Sequence, residues 1–212
     1  MREFFTIKNS ITAEIIEKKS KFIANLFYVD NNDEAERIIK EIKKKYHDAR
    51  HNCVAYRIVK NGKLIEKSSD DGEPSGTAGS PMLEILKKQN LCNVLVIVTR
   101  YFGGVLLGTG GLARTYSKAT ITAIEKSEKI KKCEGYLAEI KIDYKTLENF
   151  KYYCKNNDIN IISTDYTNVV ECKIELEKNR KEKLLYDIDN KNINIIKIEK
   201  ICNKLINKSV EK

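Results

Sequence analysis

Two stretches of the chain combine glycine with side chains that bind ions. Asp70–Pro81 holds three carboxylates, and Arg100–Arg114 holds two guanidinium groups. Eight of the ten glycines and both prolines lie between residues 70 and 114. Glycine permits positive φ and close approach to the main chain, and elsewhere it costs conformational entropy. The sequence therefore predicts two paired functional loops whose backbones help to form a site.

The second stretch is suited to an anion. A buried strand ending at Thr99, a glycine-rich crossing and a helix starting near Gly110 would direct free N–H groups and the helix dipole to one point. No acidic residue lies between Thr99 and Lys118. Neither the Walker lysine nor the GxGxxG spacing is present. Alternatively, the glycines only permit tight packing. The candidate anion or RNA ligands are Arg100, Tyr101, Phe102, Gly103, Gly104, Gly108, Thr109, Gly110, Gly111, Arg114 and Lys118.

The carboxylates of the first stretch have two interpretations. Asp70, Asp71 and Glu73 could hold Mg²⁺ or act as acid and base. They could also cap turns and hold Arg100 and Arg114 in place. We favour the structural role, because the loop lacks the lysine or histidine that would complete a catalytic set. The candidate residues here are His51, Asp70, Asp71, Gly72, Glu73, Ser75, Gly76, Thr77 and Gly79.

Histidine and cysteine usage gives little support to a metal site. His47 and His51 are the only histidines, and their four-residue spacing would suit zinc only on one helix, which is predicted to end near them. The six cysteines form no CxxC pair, so buried reduced thiols are expected. Ser75 and Thr77 lack the GxSxG elbow of a nucleophile. We expect no metal, no cofactor and no catalytic residue, and the question of enzymatic activity stays open.

Hydrophobic periodicity predicts a mixed sheet covered by helices in the first half of the chain. Asn31 and Glu34 resemble a helix-capping pair, and Asn61-Gly62 is a strong hairpin signal. Ser80 is expected to cap the helix after the first glycine loop. The predicted elements are strands 11–17 and 21–29, a helix to Tyr46, strands 53–59 and 64–69, a helix to about Asn90, strand 94–99 and a helix to about Lys126.

The second half has a different pattern. A linker is predicted around Ile130–Gly135, and it separates domains at 1–130 and 136–212. The order βαββαβ that follows is typical of a ferredoxin-like fold. No glycine occurs after Gly135, so we expect a binding or spacing module. Its predicted elements are strand 136–144, helix 146–157, strands 159–164 and 169–177, helix 180–190 and strand 193–201.

Length and charge set the broad class of protein. A chain of 212 residues suits two domains. It contains no apolar run long enough to span a bilayer and no signal-peptide core, so we expect a cytoplasmic protein without membrane contact. The formal net charge is +9, and residues 1–135 contribute 24 basic and 17 acidic side chains. The basic excess therefore lies with the glycine loops, where it could attract RNA.

Three ordered motifs resemble the IMPACT family of proteins, in its bacterial two-domain form. The matching residues are His51-Asn52-Cys53 and Ala55, Asp70-Asp71-Gly72-Glu73-Pro74, Gly76-Thr77-Ala78-Gly79 and Pro81, Arg100-Tyr101-Phe102-Gly103-Gly104, Leu107-Gly108, Gly110-Gly111-Leu112 and Arg114.

The resemblance implies an α+β fold, with an N-terminal domain similar to the second domain of ribosomal protein S5 and a ferredoxin-like domain after it. Eukaryotic members regulate translation by competing for the activator of a starvation-responsive kinase. They carry a further domain that this sequence does not match, so that partner is not extended to this chain. For bacterial members the resemblance implies nucleic-acid binding.

Three functions follow as hypotheses. The favoured one is a non-catalytic regulatory protein linked to translation or its stress control, which contacts RNA or a ribosomal surface through the glycine loops. The second is an enzyme acting on a phosphorylated or nucleotide-like small molecule. The third is an adaptor that binds a protein partner through its second domain.

Overall fold

The computed structural model describes residues 3–60 and 63–207. The chain divides into two compact units, one from Glu3 to Ile130 and one from Lys131 onward. Both units combine helices with sheets, so the α+β expectation is confirmed. Within the described ranges, no helix is long and apolar enough to span a membrane.

The first unit contains six strands and three helices in its described part. They are β1 (Glu3–Ile7), β2 (Ile11–Glu17), β3 (Ser20–Tyr28), α1 (Asn32–Lys45), β4 (His51–Lys60), β5 (Lys63–Ser69), α2 (Gly79–Lys88), β6 (Val94–Tyr101) and α3 (Thr109–Glu125).

The main sheet has the order β2-β3-β6-β4-β5, and its paired neighbours are antiparallel rather than mixed. Helices α2 and α3 pack on one face, with Met82, Leu86 and Tyr116 in that core. Helix α1 packs on the other face through apolar side chains that include Ile39 and Ile42. The helices thus bury both faces of the central strands β3, β6 and β4, whereas the edge strand β5 stays largely exposed.

Local capping explains where α1 begins but not where α2 begins. The Asn31 side chain accepts a hydrogen bond from the Glu34 N–H at 2.9 Å, as predicted. Helix α2 begins at Gly79 and not after a Ser80 cap, because its first N–H groups are bonded by a distant side chain described below. The predicted Asn61-Gly62 turn lies outside the described residues.

Strand register brings four connections to one end of the sheet: the β2–β3 turn, the segment from α1 to β4, the loop from β5 to α2 and the loop from β6 to α3. Lys21 pairs with Tyr101 between β3 and β6, and His51 pairs with Arg100 between β4 and β6. The end of β5 also lies there, since Ser69 pairs with Val54 near the start of β4. The loops that follow β5 and β6 are the two glycine-rich stretches, so the topology places them at the same end of the sheet, on either side of β4.

The second unit has a ferredoxin-like strand order, β10-β7-β9-β8, with antiparallel pairs throughout. Helices α4 and α5 cover the same face of this sheet, because both contribute to its one described core. The elements are β7 (Lys129–Ile142), α4 (Leu147–Asn156), β8 (Asn160–Tyr166), β9 (Val170–Glu177), α5 (Lys181–Asp189) and β10 (Lys197–Asn207).

Residues 130–135 differ most from the sequence prediction. They belong to strand β7 and are not a linker. Pairing with β10 includes Lys132 with Asn207 and Cys133 with Ile206, and this pairing supplies the hydrogen bonds that hold a lysine-rich segment extended. Tertiary context therefore overrides a sequence that has little local strand character.

Candidate functional site

Asp70 organises the first glycine loop from within. Its carboxylate accepts hydrogen bonds from the N–H groups of Gly76, Ala78 and Gly79 at 2.8–2.9 Å. Burial is the largest influence on the Asp70 pKa and raises it, but the three N–H donors together hold the pKa below its usual value. The N-cap residue of α2, Ala78, has no side chain that can accept a hydrogen bond. The ionised carboxylate of Asp70, eight residues earlier in the chain, takes over this capping role.

Asp71 ties the same loop to neighbouring elements. One carboxylate oxygen accepts from the Asn52 N–H at 2.7 Å, and the other accepts from Lys43 of α1 at 2.5 Å. The backbone of Asp71 has a φ of 44°, which an aspartate tolerates better than most residues. Both aspartates thus fix the shape of the loop.

Glu73 connects the two glycine loops. Its buried Oε1 accepts a hydrogen bond from Arg100 Nη1 at 2.7 Å and one from the Tyr116 hydroxyl at 2.8 Å. Burial, with the neighbouring Cys53 and Glu73, raises the pKa of Tyr116, so its hydroxyl stays a neutral donor. The ion pair of Glu73 with Arg100 favours a structural role for this carboxylate.

His51 and Cys53 border this buried cluster. His51 Nδ1 lies 2.9 Å from the carbonyl oxygen of Asp71, which can only accept, and Nε2 lies 3.9 Å from Glu73 Oε2. Burial raises the pKa of the Cys53 thiol to about 12, which opposes a role as a thiolate nucleophile. His47 is exposed after α1. No cluster of three or more metal-binding side chains occurs in the part of the chain that is described.

Arg100 lies inside the unit, with 6% of its surface exposed. Its guanidinium carbon is 5.4 Å from the ring centroid of Phe22 and 5.6 Å from that of Phe102. Its buried Nε has no hydrogen-bond partner among the described residues. This placement differs from the prediction that Arg100 binds phosphate, because its charge is neutralised by Glu73. Its position instead supports the ring of Phe102.

The remaining loop residues set the backbone. Gly72 and Gly76 have positive φ, the Thr77 hydroxyl donates to the Pro74 carbonyl, and Ser75 is exposed. Position 79 has room only for glycine, because a Cβ there would lie 2.6 Å from the backbone nitrogen of Ser69.

The second loop turns outward after Tyr101, whose hydroxyl donates to Asp48 at 2.8 Å. Gly104 and Gly108 have positive φ, and Gly108 is the N-cap of α3, with no side-chain hydrogen bond at that cap. Thr109, Gly110 and Gly111 form the first turn, so their N–H groups face outward from the start of the helix.

An exposed surface results, which we call the outer strip: Phe102, Val105, Leu106, Arg114 and Lys118. Phe102 is 42% and Leu106 is 82% exposed. Arg114 and Lys118 are four residues apart on α3, hence on one helix face. Arg114 Nη1 lies 3.5 Å from the position that a Cβ on Gly110 would occupy, so its charge is at the first turn.

Sequence reasoning did not assign Tyr116 or Phe22 to the site. Tyr116 was placed only in the apolar stripe of α3, although its hydroxyl bonds Glu73 and its ring packs edge-on against Phe22 at 5.2 Å. A tyrosine on a core-facing stripe needs a hydrogen-bond partner for its hydroxyl, and that requirement was the available signal.

The open face of the second unit carries compensated charges. Lys141 contacts Glu171 and Glu199, and Lys204 contacts Glu175. Such alternating ion pairs leave little net field for a phosphate backbone. The basic character of the chain is therefore not expressed on this face.

Replacement of Asp70 by alanine is expected to lower the free energy of unfolding by about 1–2 kcal/mol near neutral pH, the usual cost of a lost helix cap. The folded-state pKa of Asp70 is depressed, so this stabilisation is present above the unfolded pKa of about 3.9 and is lost as the pH falls through the folded value. Urea unfolding measured at decreasing pH should show that the difference in the free energy of unfolding between Asp70→Ala and the wild type becomes smaller. Ser75→Ala in the same loop is the control, and an equal loss there would contradict the capping role.

Two protein-family models match this chain, one in each half. The family model described as Impact N-terminal domain matches residues 18–124, and the model described as Domain of unknown function (DUF1949) matches residues 140–191. IMPACT family member YvyE of Bacillus subtilis is 38% identical over 178 residues, which cover 84% of this chain and 82% of that protein. IMPACT family member YigZ of Escherichia coli is 33% identical over 160 residues, covering 75% and 78%.

Two solved structures align with this chain. A crystal structure described only as that of a hypothetical protein aligns with a TM-score of 0.62 and 29% identity, covering 94% of this chain and 98% of that chain. The two-domain translational regulator Yih1 aligns over 58% of this chain and 47% of its own at 28% identity, and its TM-score of 0.37 is too low for an inference from its structure.

Proposed function

This chain belongs to the IMPACT family, and from that premise we propose that it acts in translation control by binding RNA through the outer strip without catalysing a reaction. The link to translation rests on membership of the family, because its eukaryotic members regulate translation. The RNA part rests on the surface chemistry of the first unit.

One observation carries the RNA proposal. An exposed aromatic ring, Phe102, begins a loop that leads into α3. Arg114 brings its charge to the first turn of this helix, Lys118 follows one turn further along, and no acidic residue intervenes. Aromatic rings stack on unpaired bases, and cations and helix N-termini bind phosphates. The outer strip supplies each of these contacts within one loop and the helix after it.

The buried cluster serves as a frame for this surface. Arg100 packs against Phe102, and Glu73 neutralises Arg100 and orders the first glycine loop. A ring held in place before binding loses less entropy on contact with a base. We propose that the frame acts on RNA affinity through the position of Phe102.

The enzyme hypothesis requires one of the loop carboxylates for a metal or a proton. Asp70 bonds three backbone N–H groups, Asp71 bonds Asn52 and Lys43, and Glu73 bonds Arg100 and Tyr116. These bonds favour structural roles for all three carboxylates. The RNA-binding hypothesis needs no such group, so we favour it.

The double variant Arg114→Ala/Lys118→Ala tests the proposal. Each phosphate contact contributes about 0.7 to the slope of log affinity against log salt for single strands, so loss of two contacts should flatten that slope by about 1.4. Fluorescence anisotropy of a labelled single-stranded RNA, measured between about 50 and 200 mM salt, gives both the affinity and the slope. Weaker binding with a flatter slope is expected.

Lys40→Ala/Lys44→Ala is the matched control. These exposed lysines have the same spacing on α1, which packs on the opposite face of the sheet. If both double variants reduce the affinity and slope equally, binding is non-specific and the outer strip is not the site.

A further inference from the structure

The second unit contains a cavity of about 310 Å³. Its lining residues come from the start and one face of α4 and from the segment after α5, between Thr146 and Asn194. The volume lies at the small end of the range of about 300–1,000 Å³ that is typical of small-molecule sites. It is therefore large enough for a single compact ligand.

Asparagine is concentrated in this cavity. It supplies five of the ten lining residues, whereas the whole chain has 19 asparagines in 212 residues. No lining residue carries a formal charge, and Tyr152 and Tyr153 provide aromatic rings. The asparagines are Asn149, Asn156, Asn157, Asn192 and Asn194.

One wall is held by a hydrogen-bond network. Asp187 accepts from the Tyr153 hydroxyl at 2.7 Å and from Asn192 Nδ2 at 2.9 Å. Asn157 Nδ2 donates to the Tyr153 carbonyl at 2.9 Å, and its Oδ1 accepts from Lys183 at 2.6 Å. These bonds fix the side chains behind the cavity before any ligand enters.

The other amides are available to a ligand. Within residues 3–60 and 63–207, the exposed side chains of Asn149, Asn156 and Asn194 have no hydrogen-bond partner. Tyr152 beside them is 69% exposed. The cavity thus combines a fixed wall with free amide groups and an accessible aromatic ring.

This chemistry matches a nucleobase. An amide presents a donor and an acceptor side by side, which pairs with the adjacent groups on the edge of adenine, and a tyrosine ring stacks on a base. The absence of charge in the lining gives no attraction for phosphate. We propose that this cavity binds a neutral nucleobase of the adenine type, as a nucleoside or as an unpaired nucleotide. The site shares no residue with the outer strip.

Titration of the full chain with adenosine tests the site, because adenosine lacks phosphate and does not depend on the basic outer strip. Calorimetry or NMR should show saturable binding that changes little between about 50 and 200 mM salt, unlike contacts to phosphate. Tyr152→Ala should weaken the binding about tenfold through loss of stacking. Asn149→Ala/Asn156→Ala should weaken it and reduce the preference for adenosine over uridine.

Tyr186→Ala is the control, since Tyr186 is an exposed tyrosine of α5 outside the cavity lining. It should bind adenosine as the wild type does. No saturable binding at millimolar adenosine would overturn the proposal, and so would equal loss in Tyr152→Ala and Tyr186→Ala. Binding of a neutral methyl glycoside in preference to adenosine would overturn the assignment to a base.

Discussion

Glu73→Leu should lower the free energy of unfolding by about 3–5 kcal/mol, because it leaves a buried guanidinium without its counter-charge. Arg100 has only 7% of its side chain exposed, and the carboxylate of Glu73 is its ion-pair partner at 2.7 Å. The Tyr116 hydroxyl loses its acceptor in the same variant. Chemical unfolding followed by circular dichroism measures the loss.

A second variant separates the destabilisation caused by an unpaired buried charge from the net contribution of the ion pair to stability. Glu73→Leu/Arg100→Met removes both charges, and such apolar replacements of buried pairs are often neutral or stabilising. The double variant should therefore be more stable than Glu73→Leu alone. Glu128→Ala, which breaks an exposed pair with Lys8, should cost less than about 1 kcal/mol. If Glu73→Leu costs no more than Glu128→Ala, the buried frame does not stabilise the unit.

Gly103→Ala should cost about 3 kcal/mol or prevent folding, because overpacking against the backbone cannot be relieved by a side-chain movement. A Cβ at this position would lie 2.0 Å from the carbonyl carbon of Lys19 in the turn between β2 and β3. Thermal unfolding and the yield of soluble protein are the measurements.

The neighbouring Gly104 gives the matched control. A Cβ there meets nothing within 4 Å, although φ is +85°. Gly104→Ala should therefore cost only about 1–2 kcal/mol of backbone strain. Equal effects at the two glycines would show that the close contact of Gly103 with Lys19 is unimportant.

Features with local causes could be predicted from the sequence. The capping pair at Asn31 and Glu34 and the apolar spacing after it predicted α1. The alternation in residues 11–29 predicted β2 and β3, and the βαββαβ order predicted the topology of the second unit. In each case the signal and the structure that it specifies lie within a few residues of each other.

Features with distant causes could be predicted only in part, since the structural role of the loop carboxylates was favoured but the partner of each carboxylate was not assigned. The cap of α2 comes from Asp70, and the strand character of residues 130–135 comes from pairing with β10. The charge of Arg100 was visible in the sequence, but its burial depends on Glu73, which is 27 residues away. Glycine clustering therefore marked the two loops that follow β5 and β6, while the contacts of their charged residues depended on tertiary structure.

The central claim is that RNA contacts the outer strip. Amide hydrogen exchange of the full chain with and without a single-stranded RNA tests it directly, since bound segments exchange more slowly. We expect added protection across residues 102–118 and none in α1. RNA binding that leaves the exchange of residues 102–118 unchanged would contradict the proposed function.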